Sequence, residues 1–400
     1  MIKVLVVDDS TFMRNSLTRM LTSDPEIEVV GQAGDGIEAL EKIKELNPDL
    51  ISLDLEMPRM GGLEMLEKMM RDTPKPVLVI SSLTYEGAEA TLKALELGAL
   101  DYMPKYVEGT TVFAIAQKEL TEKVKALVKS PSTRLFLAKL RMKAVKSSVV
   151  AVRTPSAASA ETAAASSVGS AAAAQANAAN AKLSSLSIKA VPGQGQATYV
   201  RPNEPLPTGR PNRDIVAISV STGGPPAVQK VLTALPENFP ACILIAQHMP
   251  AAFTGAFAKR LDSLCKITVK EAKNGDPIIP GIAYVCPGAQ HISITIKGAL
   301  PQIKVSPEPT TEIYKPCANI LNQSVSIMGN KVVGLTMTGM GADGCEGSKA
   351  LKAKGGYLIA QSEDTCVVYG MPRAVVEAKI FNDIVDLDDI SDALIRALYK

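Results

Sequence analysis

Only two histidines occur in the chain, His248 and His291, so the search for a general base is short. His248 closes the apolar run of ACILIAQHMP (241–250), while His291 enters a strand-like stretch in CPGAQHISITI. Ser221 ends another apolar run in DIVAISVSTGGPPAV, and Asp343 lies in the glycine-rich end of KVVGLTMTGMGADG. A serine is a weak nucleophile until a base takes its proton and N–H donors stabilise the oxyanion. Both histidines can reach a strand-end cleft, but His248 occupies the position on its strand that Ser221 occupies on its own. Asp343 is expected to accept the Nδ1–H of the histidine and so select the useful tautomer. Gly223 and Gly224 allow a tight turn into a helix, with Pro225 or Pro226 in its first turn. The amides of that turn then face an anion in front of Ser221, aided by the helix dipole. Gly339, Gly341 and Gly344 permit close backbone approach, and the N–H of Met340 is a candidate second oxyanion donor.

Each fragment alone has a plainer reading. Ser-Thr-Gly-Gly serves as well for a phosphate-binding turn, a strand-end histidine is commonly structural, and an aspartate in a glycine loop commonly forms a turn. Three strands each delivering one such residue to one sheet edge favour a hydrolase in the chain order Ser, His, Asp. That order differs from those of chymotrypsin-like and subtilisin-like enzymes and of α/β-hydrolases, so geometry has to carry the argument. No clustered His/Cys ligand set is present in this half, and no metal is expected there.

The first part of the chain brings different chemistry to strand ends. KVLVVDD ends in Asp8 and Asp9, LISLD in Asp54, PVLVIS in Ser81 and LDYMPK in Lys105. In a parallel α/β sheet the carboxyl ends of strands converge on one edge, where ligands bind. Three carboxylates there repel unless a divalent cation neutralises them, and oxygen-only ligands point to Mg²⁺. A lysine opposite can pair with a carboxylate or with an incoming phosphate.

The elements that must position these groups follow from periodicity. Residues 1–128 alternate strand-like runs with amphipathic stretches such as TFMRNSLTRMLTS and GIEALEKIKEL, which argues for a parallel sheet covered on both faces. Residues 129–212 turn rich in Ala, Ser, Pro and Gln and read as a flexible tether with little to bury. Its first part carries Arg134, Lys139, Arg141, Lys143, Lys146 and Arg153 and no acid, either a solvated extension of the preceding helix or a basic segment for an acidic surface. Residues 213–400 resume the strand and helix pattern and end in SDALIRALYK. The expected fold is two doubly wound, mostly parallel α/β domains, one flavodoxin-like and one Rossmann-like, joined by a long tether.

Two resemblances gather on these motifs. VVDDS, DLEMPRMGG, VLVISSLT and LELGALDYMPK resemble the response-regulator receiver domain. The resemblance implies Asp54 as phosphoacceptor, with Asp8, Asp9 and the backbone carbonyl of Glu56 joining it around Mg²⁺. It implies Ser81 and Lys105 as phosphoryl contacts and Tyr102 as an aromatic switch. AISVSTGGPPAV, LIAQHMPAAFTGAFAKRL, AYVCPGAQHI, TGMGADGCEG and AQSEDTCVVYGMP resemble the catalytic domain of the chemotaxis methylesterase family, CheB. That implies Ser221 as nucleophile, His248 as base, Asp343 as orienting acid, and backbone donors from Thr222 and Met340. The family implies hydrolysis of glutamyl methyl esters and deamidation of glutamines on chemoreceptors. It also implies a sensor histidine kinase of the CheA type as phosphodonor and peripheral association with receptor arrays at the membrane.

Composition narrows the alternatives. Four hundred residues with 46% apolar content suit more than one core. A formal net charge of +2 and the lack of a helix-turn-helix signal give no reason to expect nucleic acid. Six cysteines, all in the second half and without a CxxC pair, read as reduced thiols of a cytoplasmic protein. MIKVLVVDDS reads as a strand, not a signal peptide, and no later stretch is long enough to span a membrane. The competing function is a non-catalytic, phosphorylation-controlled adaptor or phosphate sink, which needs none of Ser221, His248 and Asp343.

Overall fold

The structure is a computed structural model and describes residues 1–105, 113–135, 137, 138, 140, 206–297 and 300–400. The first domain alternates β1 (Ile2–Val7), α1 (Thr11–Thr22), β2 (Ile27–Ala33), α2 (Gly36–Leu46), β3 (Leu50–Leu53), α3 (Gly62–Asp72), β4 (Val77–Ser81), α4 (Tyr85–Glu96), β5 (Asp101–Pro104) and α5 (Phe113–Lys129). Its strands form one parallel sheet in the order β2-β1-β3-β4-β5. β3 and β4 are buried at every position, as strands covered on both faces must be. Polar residues mark the helix starts: Ser10, Asp35 and Thr84 each accept a backbone N–H of the first turn.

The second domain contributes β6 (Ile215–Val220), α6 (Gly224–Thr233), β7 (Cys242–Gln247), α7 (Ala251–Leu264), β8 (Thr268–Glu271), β9 (Ile282–Val285), β10 (His291–Lys297), β11 (Leu300–Ser306), α8 (Ala318–Val325), β12 (Val332–Thr336), α9 (Cys345–Ala353), β13 (Tyr357–Gln361), α10 (Met371–Glu377), β14 (Asp383–Val385) and α11 (Ile390–Tyr399). Seven strands pair in parallel in the order β14-β13-β12-β6-β7-β9-β8, and β10 and β11 form a separate antiparallel pair. The expected α/β class and parallel sheets are therefore present in both halves. β6, β7 and β12 are buried throughout, so the three strands that end in Ser, His and the Asp loop are the centre of the sheet.

The two halves touch. α4 packs on α7, Arg260 Nε lies 2.6 Å from Glu96 Oε1, and the rings of Tyr102 and Phe253 stack with centroids 4.9 Å apart. Val367 packs against the core formed by β1, β4 and α5. The stretch that the sequence reads as the start of a flexible tether joins this contact. Residues 131–135 are helical, Thr133 and Leu137 are buried, and the Ser130 and Ser132 hydroxyls donate to the Cys366 carbonyl. Small hydroxyl residues supplied the polar composition there, but they found an acceptor and Leu137 found a core. At its other end the Asn212 and Arg213 N–H groups donate to the Leu398 carbonyl in α11. Arg134 is exposed, whereas Lys139, Arg141, Lys143, Lys146 and Arg153 lie outside the described residues, as does the tether between 141 and 205.

Candidate active site

β6 pairs with β7 so that Val220 stands beside Gln247, which sets Ser221 and His248 next to each other at the sheet edge. The edge is pinned on both sides of the serine. Ser221 N donates to the Thr338 carbonyl at 3.0 Å, His248 N donates to the Val220 carbonyl at 3.1 Å, and Gly224 N donates to the Ser221 carbonyl at 2.8 Å. Gly223 takes φ +73°, a left-handed turn that opens α6, and Pro225 sits in the first turn as its spacing predicts.

The three side chains meet. His248 Nδ1 lies 3.1 Å from Ser221 Oγ, and His248 Nε2 lies 2.8 Å from Asp343 Oδ2. The ring is reversed from the sequence expectation, which gave Nδ1 to the aspartate. Strand order explains it. Ser221 follows β6, immediately beside β7, and meets the nitrogen nearest the histidine backbone. Asp343 follows β12 on the far side of β6, and only the distal nitrogen reaches it. Because a carboxylate only accepts, Nε2 carries the proton and Nδ1 offers its lone pair to the serine hydroxyl.

Asp343 is held by more than the histidine. It accepts from Ala318 N at 2.6 Å, Asn319 N at 3.0 Å, Gly344 N at 2.8 Å and Cys317 Sγ at 3.3 Å. Burial alone would raise its pKa. The His248 hydrogen bond and charge outweigh that, with the first N–H groups of α8, and hold it down to about 2.

Thr222 directly follows Ser221 and is buried. Met340 follows Gly339, whose Cα approaches the serine so closely that an added Cβ would lie 2.9 Å from Ser221 Cβ. Neither Thr222 N–H nor Met340 N–H donates to a backbone carbonyl among the described residues. His291 sits elsewhere: its Nδ1 accepts from Cys317 N at 3.1 Å and its Nε2 faces the Pro309 carbonyl at 3.2 Å. Burial depresses its pKa, which suits a neutral ring bracing the 309–317 loop.

Three contacts escaped sequence reasoning. Gln247 Nε2 bridges the carbonyls of Ser221 and His248 at 3.0 and 3.1 Å, tying both residues to β7. Ser219 is fully buried and accepts from Asn322 Nδ2 at 3.1 Å, anchoring β6 to α8. Tyr314 lies flat on the His248 ring, with centroids 4.4 Å apart and planes 8° apart. A signal existed for the last: TEIYKPC places an aromatic in a polar loop of a chain with only 9 Tyr, 7 Phe and no Trp.

In the first domain Asp8, Asp9 and Asp54 offer carboxylate oxygens within 4.8 Å of one another. Lys105 Nζ lies 2.8 Å from Asp54 and 3.1 Å from Asp8. Burial pushes the Asp54 pKa up to about 6 against the pull of Lys105. Burial disfavours the Lys105 charge as well, but Asp54 and Asp8 overcome it and raise its pKa. Glu56 N donates to Asp54 Oδ1 at 3.3 Å, which brings the Glu56 backbone to the cluster. Ser81 Oγ is turned toward the Gly87 and Ser82 carbonyls, at 3.2 and 3.3 Å, and Tyr102 is buried against Phe253. Hard-oxygen donors from the buried Asp8 and Asp54 and the exposed Asp9, with Lys105 against the buried pair, fit Mg²⁺. A divalent cation offsets the burial cost that chiefly raises Asp54 and the lesser repulsion from Asp8.

A doubly wound domain with a three-aspartate cluster and a lysine at its strand ends, joined to one with a Ser-His-Asp chain, defines a receiver-linked hydrolase. A family model described as CheB methylesterase matches residues 216–394, and one described as response regulator receiver domain matches residues 4–117. The protein-glutamate methylesterase/protein-glutamine glutaminase of Lawsonia intracellularis is 49% identical over 401 residues, covering 100% of both chains. The one of Pyrococcus abyssi is 39% identical, over 99% of this chain and 94% of that protein. The crystal structure of the Thermotoga maritima CheB methylesterase catalytic domain is 35% identical over 46% of this chain and 98% of that chain, with a TM-score of 0.45. The chain belongs to the CheB methylesterase family, in the form that carries an N-terminal response-regulator receiver domain.

Proposed function

We propose that this chain is a phosphorylation-activated protein-glutamate methylesterase and protein-glutamine glutaminase acting on chemoreceptors. The observation that carries the reading is the hydrogen-bonded line from Ser221 Oγ through the His248 ring to Asp343. Ser221 Oγ attacks the side-chain carbonyl carbon of a receptor residue while His248 Nδ1 takes its proton. The N–H groups of Thr222 and Met340 receive the oxyanion. Losing one such donor costs about 10²- to 10³-fold in kcat. The tetrahedral intermediate collapses, His248 returns the proton to the leaving group, and methanol departs from an ester or ammonia from an amide. Both leave the same glutamyl ester on Ser221. Water, deprotonated by His248, then releases glutamate and restores the hydroxyl. Asp343 stays ionised throughout and holds the imidazolium that forms twice per turnover.

In the receiver, Asp54 takes the phosphoryl group. Asp8, Asp9, Asp54 and the Glu56 carbonyl would hold Mg²⁺, which would supply charge neutralisation at the acceptor. Lys105 and Ser81 contact the transferred group, Ser81 by rotating away from Gly87. Tyr102 reports the change through its stack on Phe253, five residues beyond His248. The unphosphorylated receiver hinders access to the cleft, and phosphorylation favours a different docking face. A sensor kinase of the CheA type is the phosphodonor, and the enzyme works in the cytoplasm at receptor arrays on the membrane. No described helix is long and apolar enough to cross a membrane. The catalytic domain uses no metal.

The test is methanol release from methylated receptor membranes, with and without Mg²⁺ and a small-molecule phosphodonor. Wild type releases methanol faster with the phosphodonor, Asp54→Asn ignores it, and Ser221→Ala releases none in either condition. Equal release by Ser221→Ala would remove the serine mechanism.

A further inference from the structure

Tyr314 stands in no position that the reaction above uses, yet it covers one face of the general base. Its ring is parallel to His248 within 8° at a centroid distance of 4.4 Å. The loop that carries it is fastened close to both ends. His291 takes Cys317 N at 3.1 Å and faces the Pro309 carbonyl, and Ala289 N donates to the Lys315 carbonyl at 3.2 Å. Those bonds use backbone groups on either side of Tyr314, so the phenol ring is delivered to one place. Ile313, beside it, is 87% exposed, so the loop is not shaped to bury its own apolar residues.

The reaction creates a need for such a ring. Before acylation the imidazole is pinned at its Cβ, at Nδ1 by Ser221 and at Nε2 by Asp343. Once Ser221 is acylated, its oxygen has no proton to donate and the Nδ1 pin is lost. The ring must still hold its plane to deprotonate water at the same nitrogen. The Nε2 bond to Asp343 remains, but with a torsion as broad and two-fold as the histidine χ2 a single hydrogen bond leaves the ring room to rock about that contact. A parallel aromatic face holds the plane, through dispersion and offset stacking, and it also favours the imidazolium that forms.

We propose that Tyr314 is a positioning residue for His248, holding the imidazole in its working plane through the acyl-enzyme half of the cycle. The inference rests on Ser221, His248 and Asp343 acting as proposed. Stacking needs the ring and not the hydroxyl, so Tyr314→Phe should work and Tyr314→Leu should not, although leucine fills comparable space.

The experiment is steady-state methanol release by the full-length protein on methylated receptor membranes with Mg²⁺ and a phosphodonor. Wild type, Tyr314→Phe, Tyr314→Leu and Ser221→Ala are compared, and thermal unfolding of each confirms folding. The expected result is a fall in kcat of about tenfold for Tyr314→Leu with KM within about twofold, and restoration by Tyr314→Phe. Wild-type kcat in a folded Tyr314→Leu overturns the proposal, and so does a rise in KM alone, which would make Tyr314 a substrate contact. Loss of activity in Tyr314→Phe also overturns it, because the hydroxyl and not the ring would then matter. If Tyr314→Leu does not fold, Tyr314→His, which keeps a planar ring, must retain at least a third of the wild-type kcat, and a lower value overturns it. Full activity of Ser221→Ala, by contrast, strikes the serine reading itself.

Discussion

Five donors converge on the carboxylate of Asp343: His248, Cys317, Ala318, Asn319 and Gly344. This keeps the group ionised through the cycle and makes it a stability element as well. Its pKa falls from 3.8 to about 2 on folding, so its ionised form favours the folded state above pH 4. That contribution is fully present above the unfolded value and is lost as pH falls through about 2. Asp343→Asn should lower resistance to chemical denaturation at pH 7, and its gap to wild type should narrow between about pH 4 and pH 2. A gap that widens on acidification would contradict this. In kinetics the same variant should lose about 10³- to 10⁴-fold in kcat, since an amide cannot hold the Nε2–H tautomer as a carboxylate does. That Ser221, His248 and Asp343 meet at one sheet edge was legible from strand-end placement, but the ring orientation was not. It depends on β6 lying between β7 and β12, and strand order is set by the packing of the whole sheet.

At the scale of elements, the turn after β6 and the loop after β12 approach each other because glycine occupies both. A Cβ at Gly339 would fall 2.4 Å from Met371 Sδ and 2.9 Å from Ser221 Cβ. Gly339→Ala should therefore displace the serine and lower kcat by about tenfold or more, while KM changes less. Unchanged kcat would mean that the loop yields freely. The glycines were readable as points of close approach, and alternation in HISITI was readable as a strand. Ser130, Thr133 and Leu137 were not readable as buried, because serine and threonine carry the same letters whether they face water or donate to a buried carbonyl. Tyr314 was hidden for a related reason: loop aromatics declare a partner only when the fold supplies one.

At the scale of the molecule, the receiver contacts the hydrolase through α4 and β5, the elements that carry Glu96 and Tyr102. Opening this contact must shift an equilibrium by several kcal/mol if phosphorylation is to act as a switch. The Glu96–Arg260 pair sits at its rim, where reversing a charge repels without creating a cavity. Arg260→Glu should raise unphosphorylated methanol release roughly three- to tenfold, and adding Glu96→Arg should bring it back toward wild type. Equal rates in wild type and Arg260→Glu would detach this contact from control of the active site.

The central claim, that Ser221 is the nucleophile for both ester and amide substrates, is met most directly by a serine-directed phosphonate. The reagent should modify Ser221 in wild type, and the fraction modified, read by mass spectrometry of its peptide, should match the fraction of methanol and ammonia release lost. Full release of either product from protein quantitatively labelled at Ser221 would contradict the account.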